Sequence, residues 1–163
     1  MAMSAVRRHL LDIQGFERVD DETLARNDLW LRFAPAMCGL IAAVGTALAS
    51  PAMLWSLAVV AAAGAALPFH PFDLPYNVAI RRLVGGPRLP DNQAPRRFAC
   101  ALGTAWLAVT AALFAAGLAV AGSACGAAFV FVAVLVATTH VCIPSILFRI
   151  ACGQWPALLP RRA

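Results

Sequence analysis

Residues 33–72 read FAPAMCGLIAAVGTALASPAMLWSLAVVAAAGAALPFHPF, and residues 98–148 read FACALGTAWLAVTAALFAAGLAVAGSACGAAFVFVAVLVATTHVCIPSILF; neither stretch contains Asp, Glu, Lys or Arg. A helix crosses the roughly 30 Å apolar layer of a bilayer with about 20 residues, so stretches of 40 and 51 residues each predict two crossings. Ser50-Pro51 removes a backbone donor and divides the first stretch into helices over 33–49 and 52–67, the second of them stopped by Pro68 and Pro71. Gly122-Ser123 divides the other stretch into helices over 98–120 and 126–148. The first two helices are short and call for interfacial anchors, for which Trp30, Trp55 and Phe69 are suited.

The rest of the chain supports that reading. It has 163 residues, 61% of them hydrophobic, and a mean hydropathy of +0.76, against about 45–50% hydrophobic for soluble domains. All 13 basic residues are Arg, the net charge is +5, and the positions carry more information than the sum. Every Arg falls before the first helix, between the second and third, or after the fourth, and the turns near Pro51 and Gly122 carry no charge. By the positive-inside rule both termini and the 68–97 loop face the cytoplasm of a bacterial inner membrane, and nucleic-acid binding is excluded as the reason for the basic excess. The expected fold is all-α: an integral membrane four-helix bundle of two helical hairpins, N-in and C-in. It has a cytoplasmic, interfacial amphipathic segment at 1–31, a transmembrane domain at 32–150 and a cytoplasmic tail at 151–163.

The leader contains Asp12, Glu17, Asp20, Asp21, Glu22 and Asp28, which does not resemble a cleavable signal. Val6, Leu10 and Leu11 predict an amphipathic helix along the membrane surface, and Asp20 or Asp21 is the expected N-cap of a second segment through Leu31. Gly39, Ala43 and Ala47 form one small-residue face, Ala101, Ala105, Ala108 and Ala112 another, and Gly122 pairs with Gly126; such faces let helices approach closely. Arg32-Phe33-Ala34 and Arg97-Phe98-Ala99 open the two hairpins alike, a parallel repeat in which each guanidinium would reach headgroups and each ring would anchor a helix start.

Between the hairpins, residues 76–84 predict a short amphipathic helix, with Val78, Ile80, Leu83 and Val84 toward lipid and Arg81 and Arg82 toward phosphates. His70-Pro71-Phe72-Asp73, Tyr76-Asn77, residues 95–100 (PRRFAC) and residues 138–145 (TTHVCIPS) together resemble the small bacterial inner-membrane proteins of the domain of unknown function (DUF) 4395 family, over roughly residues 33–150. The resemblance implies a membrane protein and assigns no chemistry. It also implies a Cys-x-x-Cys-like pair near the end of the last helix in other branches, at a place where this chain has Ser145.

The residues able to do chemistry gather near the cytoplasmic ends. Pro144 cannot donate to the His140 carbonyl, so a kink is expected, with His140 about 13 Å inside the membrane boundary. There it would bind a metal, haem or pigment, or bond Thr104 or Thr110. His70 and Asp73 sit past the second helix, where they are expected to cap and anchor the loop, with Asp73 pairing with Arg81 or Arg82, or else to join the candidate site. Cys38, Cys100 and Cys142 lie toward the same side, Cys142 opening a Cys-x-Pro-Ser run in which it is either an inert, buried packing thiol or, with a lowered pKa, a nucleophile or soft-metal ligand. Cys152 lies beyond them and Cys125 on the outer side, which argues against structural disulfides. His140, Cys142, Ser145, His70, Asp73, Cys100 and Cys38 form the candidate site; Arg32, Arg81, Arg82, Arg96, Arg97 and Arg149 are candidate contacts to anionic lipid or a partner. No metal or cofactor identity follows from these residues.

Three functions compete. The first is a non-catalytic accessory or scaffold subunit of a larger membrane complex, bound to other membrane subunits or to copies of itself. The second is a thiol-, metal- or haem-handling membrane protein. The third is a small oligomeric transporter, disfavoured by the scarcity of intramembrane charge.

Overall fold

Asp20 adopts extended backbone and its carboxylate accepts the Thr23 N–H at 2.8 Å, which starts helix α2 at Asp21 and runs it without interruption to Ala47. The expected boundary near residue 32 is absent. Pro35 costs α2 the bond to the Leu31 carbonyl without ending it. The computed structural model describes residues 3–158, and all regular structure among them is helical. Helix α1 is Ala5–Ile13, α3 Pro51–Ala66, α4 Arg81–Val84, α5 Ala94–Ala115, α6 Ala119–Thr139 and α7 Ile143–Ala151. Short 3-10 turns lie at Pro71–Asp73 and Trp155–Leu158, and a π-helical turn at Tyr76–Ile80 leads directly into α4. Arg161 and Arg162, counted above on the cytoplasmic side, lie outside the described residues.

The first turn forms where the sequence places it. Ala49 takes φ 45°, Ser50 caps α3 through its hydroxyl, and Pro51 sits in the first turn, where a missing N–H costs nothing. The second turn does not fall at Gly122. It occupies 116–118, with Gly117 at φ 76°, and α6 begins at Ala119. Gly122 and Gly126 lie inside α6 as contact points: a methyl on Gly122 would stand 2.9 Å from the Phe114 ring, and one on Gly126 would overlap the Thr46 hydroxyl.

The expected kink at Pro144 is a complete break. Helix α6 ends at Thr139, His140 caps it in the left-handed region (φ 62°), Cys142 is extended, and Pro144 falls in the first turn of α7. A proline inside a continuous helix would meet the carbonyl four residues back; in a first turn it meets none.

Helix α2 packs on α3 and α6, while α5 packs on α3, α6 and α7. The core between them is Ala42, Leu54, Leu57, Ala58, Ala61, Leu107, Ala111 and Phe114. In the C-terminal half of α2 the buried positions are Gly39, Ala42 and Gly45 in place of the expected Gly39, Ala43 and Ala47, and Ala101, Ala105 and Ala112 of α5 are exposed. Leu107 and Phe114 fill the space between helices, which turns the alanines outward. Helices α2, α5 and α6 are long and apolar enough to cross a membrane; α3 joined to Pro71–Val84 makes a fourth candidate, bent by 82° at the break.

A second core of Leu11, Phe16, Leu24, Leu31, Tyr76 and Leu89 folds the leader onto the charged end. Leu11 is fully buried there while Val6 is exposed, so much of the apolar face of α1 is spent on protein. Arg149, on α7, donates to the carbonyls of Asp12 at 2.7 Å and Ile13 at 3.2 Å, and pairs with Glu17. The repeated Arg-Phe steps acquire a shared role. Arg32 of α2 donates to Ala137 and Thr138 carbonyls at the end of α6, and Arg97 of α5 donates to Ala65 and Ala66 carbonyls at the end of α3. Each guanidinium thus serves orphan carbonyls at the negative end of a neighbouring helix dipole. Arg81 donates to its own turn at Asn77, and of the six arginines singled out only Arg82 is exposed and free of a protein partner among the described residues.

Candidate functional site: a thiol-lined cavity

Four elements converge just inside the charged end. Cys38 stands on α2, Cys100 on α5, Cys142 at the N-cap of α7, and His70 in the extended link after α3. All four line one cavity of about 130 Å³, together with Arg96, Gln14, and an apolar wall that includes Trp106 and Phe129. Gly64 makes this convergence possible: a Cβ there would lie 2.6 Å from the His70 ring and 3.2 Å from the Cys100 sulfur.

The His70 ring is held in one tautomer. Phe72 N–H donates to His70 Nδ1 at 3.2 Å, so Nε2 carries the proton, and it faces the Cys38 sulfur at 3.9 Å. The His70 N–H in turn donates to Asp73 Oδ2 at 3.2 Å, closing a capping box over Pro71–Asp73. Asp73 therefore braces His70 and does not pair with Arg81 or Arg82. Burial, with Arg96 adding to it, pushes His70 down to about 4, so the ring is a neutral N–H donor near neutrality. A metal-bound histidine normally donates its second ring nitrogen; here that nitrogen accepts, which orients Nε2 as a donor toward sulfur. Among the described residues no three His, Cys, Asp or Glu side chains are grouped so as to hold a metal ion.

Ser145 Oγ lies 3.1 Å from Cys142 Sγ and 3.3 Å from the Pro95 carbonyl, fully buried. Serine thus stands one helical turn from a thiol, where a second cysteine would form a vicinal pair. Burial pushes the Cys142 thiol up, against the opposing pull of Ser145. Of the two readings of Cys142, the lowered pKa is overturned for that reason: removal from water outweighs the position at a helix start.

His140 does not join the cavity. Its Nε2 is 3.0 Å from Asp28 Oδ1, its carbonyl accepts from Gln14 Nε2 at 2.8 Å, and Asp28 also pairs with Arg32. It caps α6 in the charged layer and is not an isolated intramembrane histidine. Thr104 and Thr110 donate to their own helix, at Cys100 and Trp106 carbonyls. Burial pushes His140 down despite Asp28. Cys152 is exposed, and Cys125 Sγ lies 3.2 Å from Thr110 Oγ1; neither lines the cavity.

The model of the Domain of unknown function (DUF4395) matches residues 27–152, three quarters of the chain. The chain belongs to the DUF4395 family. All cavity residues except Gln14 fall within the DUF4395 match, whereas most of the leader precedes it. No curated protein and no solved structure matches the chain. Sequence reasoning placed Arg96 among headgroup contacts and passed over Gly64, Gln14, Trp106 and Phe129. The one available signal was the helical angle of about 100° between adjacent Arg96 and Arg97, which cannot both face outward.

Proposed function

We propose that this is a multi-pass protein of the bacterial inner membrane whose working part is the thiol-lined cavity, and that it carries out thiol–disulfide exchange with a small disulfide. In this reading α2, α3, α5 and α6 form a bundle of two hairpins with both termini and the 68–97 loop in the cytoplasm, as the one-sided placement of Arg supports. The observation that carries the chemical reading is the convergence of Cys38, Cys100 and Cys142, from three elements, on one cavity beside the fixed N–H of His70. Nothing in helix packing alone requires three thiols there.

In the exchange, a cavity thiol loses its proton and its sulfur attacks one sulfur of the disulfide. The S–S bond breaks, a mixed disulfide forms on the protein, and the departing thiolate takes the proton. His70 Nε2–H is placed to donate to the Cys38 thiolate while it exists. Treatment of the full chain in lipid nanodiscs with hydroxyethyl disulfide, followed by peptide mass spectrometry, tests this. Adducts are expected on Cys38, Cys100 or Cys142 as well as on exposed Cys152, with slower reaction at Cys38 in His70→Phe. Adducts confined to Cys152 and Cys125 would sink the reading.

An accessory-subunit role is the second reading. Val6 and Leu29, each 71% exposed outside the long apolar stretches, support it as apolar side chains at the charged end that a partner would cover. Recovery of the protein as a lone monomer from native membranes, unchanged in Val6→Ser/Leu29→Ser, would count against it.

A further inference from the structure

Among the described residues Arg96 is the one charged side chain that lines the thiol cavity, and it is only 9% exposed. Its guanidinium lies over the Phe16 ring, 5.4 Å from the centroid. Among the described residues it makes no hydrogen bond to an acceptor and no ion pair. Asp73 is the nearby protein carboxylate: its Oδ2 accepts from the His70 N–H and its buried Oδ1 has no hydrogen-bond partner among the described residues, yet it interacts with Arg96 only at longer range and forms no ion pair with it. A guanidinium carries five N–H donors, and one held in a largely buried position with no protein acceptor offers those donors to whatever occupies the cavity it lines. The neighbouring arginines show the contrast: Arg32, Arg97 and Arg149 all find carbonyls or carboxylates.

We infer that the cavity is a binding site for a small organic anion, a carboxylate or comparable oxyanion, held by Arg96 with its apolar body against Trp106 and Phe129 and its reactive atom toward the thiols. The inference rests on the thiol-exchange reading of the same cavity and specifies the charge and size of what enters. Size follows from volume. An engineered apolar cavity of about 150 Å³ holds benzene, so the roughly 130 Å³ here accommodates a molecule, or the reacting part of one, of that order. Charge follows from Arg96. The fork suits a carboxylate or a phosphate geometry, and an anionic lipid headgroup offers the same chemistry from a second source.

Iodoacetate and iodoacetamide separate these possibilities, since they are near-isosteric alkylating agents that differ by one negative charge. Both react with the same thiolate, so their rate ratio at each cysteine cancels any effect of Arg96 on thiol ionisation and reports recruitment of the anion. With the full chain in phosphatidylcholine nanodiscs, the iodoacetate-to-iodoacetamide ratio at the cavity cysteines is expected to exceed that at exposed Cys152 by about tenfold or more. Arg96→Gln should bring the ratio down to the Cys152 value, and Arg96→Lys should restore part of it. In the unmutated protein, sodium acetate should protect the cavity cysteines, but not Cys152, from iodoacetamide, and neutral acetamide should protect neither. That comparison stands even where a variant fails to fold. Adding phosphatidylglycerol to the nanodisc should leave the ratio unchanged; a ratio abolished by phosphatidylglycerol would assign the Arg96 site to a headgroup phosphate and overturn the free anion. Equal ratios at all cysteines, with no acetate protection, would overturn the anion site and leave thiol exchange standing. Absence of cavity labelling by either reagent would overturn the accessible thiol cavity itself.

Discussion

At the scale of single residues, the cavity depends on a glycine and on two hydrogen bonds to polar neighbours. Gly64→Ala introduces a methyl 2.6 Å from the His70 ring, which must move and carry its contact with Cys38 away. Overpacking of this kind costs about 1–3 kcal/mol; thermal unfolding followed by tryptophan fluorescence should show the loss, and Cys38 reactivity should change with it. Ser145 opposes the burial that raises the Cys142 thiol. The alkylation rate of Cys142 should therefore keep rising with pH past 9.0, the ordinary thiol value, and Ser145→Ala should move the profile further up. A Ser145→Ala profile identical to that of the parent would show that the 3.1 Å contact does not influence the thiol. The three thiols and His70 were legible as chemistry in the sequence, because such side chains are uncommon in apolar runs. Their meeting in one cavity was not, since Cys38 and Cys142 are more than a hundred positions apart.

At the scale of elements, the helices are joined by side chains that satisfy the ends of their neighbours. Arg149 is 7% exposed and ties the leader to α7 through two backbone carbonyls and Glu17. Arg149→Met removes those donors and leaves the carbonyls unanswered, a loss of about 3 kcal/mol. Limited proteolysis should then cut between α1 and α2 faster than in the parent, while the long helices stay intact; an unchanged cleavage pattern would refute the tie. Gly126 lets α6 close on α2 at Thr46. Gly126→Ala forces that pair apart and should lower the melting temperature more than Gly103→Ala, where a Cβ would sit 3.6 Å from Phe129 in ordinary contact. Pro and Gly marked the turns well where they supplied backbone geometry, as at Ser50-Pro51. They misled where glycine serves close packing, as at Gly122, because a lone sequence does not say whether a missing side chain is needed by the local backbone or by a neighbouring helix.

At the scale of the molecule, two buried histidines set the response to acid. His70 and His140 both have pKa values below the ordinary 6.5, so between that value and about 4 the unfolded chain binds more protons than the folded one. Stability rises with pH across that window, and is lost progressively as pH falls from 6.5 toward 4. A melting series over that range should show the decline, and His70→Phe should flatten it; a flat profile in the parent would contradict the buried neutral ring. Orientation can be read from the same chain. Ala116→Cys, in the uncharged turn, should react with a membrane-impermeant maleimide in intact cells, while Cys152 at the charged end should react only after lysis. The opposite pattern would invert the proposed topology.

The sequence by itself determined the helical class, the apolar stretches able to cross a membrane and the one-sided distribution of Arg. Each of these follows from hydropathy and charge, which act locally along a chain in contact with lipid or water. The tertiary structure decided the start of α6, the break at His140, the withdrawal of His140 into an Asp28 cap, and the burial of Arg96 beside three thiols. Those outcomes depend on which side chains face each other across helix interfaces. The Gly64 gap, the Phe72 N–H that fixes His70, and the Phe16 ring under Arg96 come from segments distant in sequence, and their effects on one cavity exist only once the helices are packed.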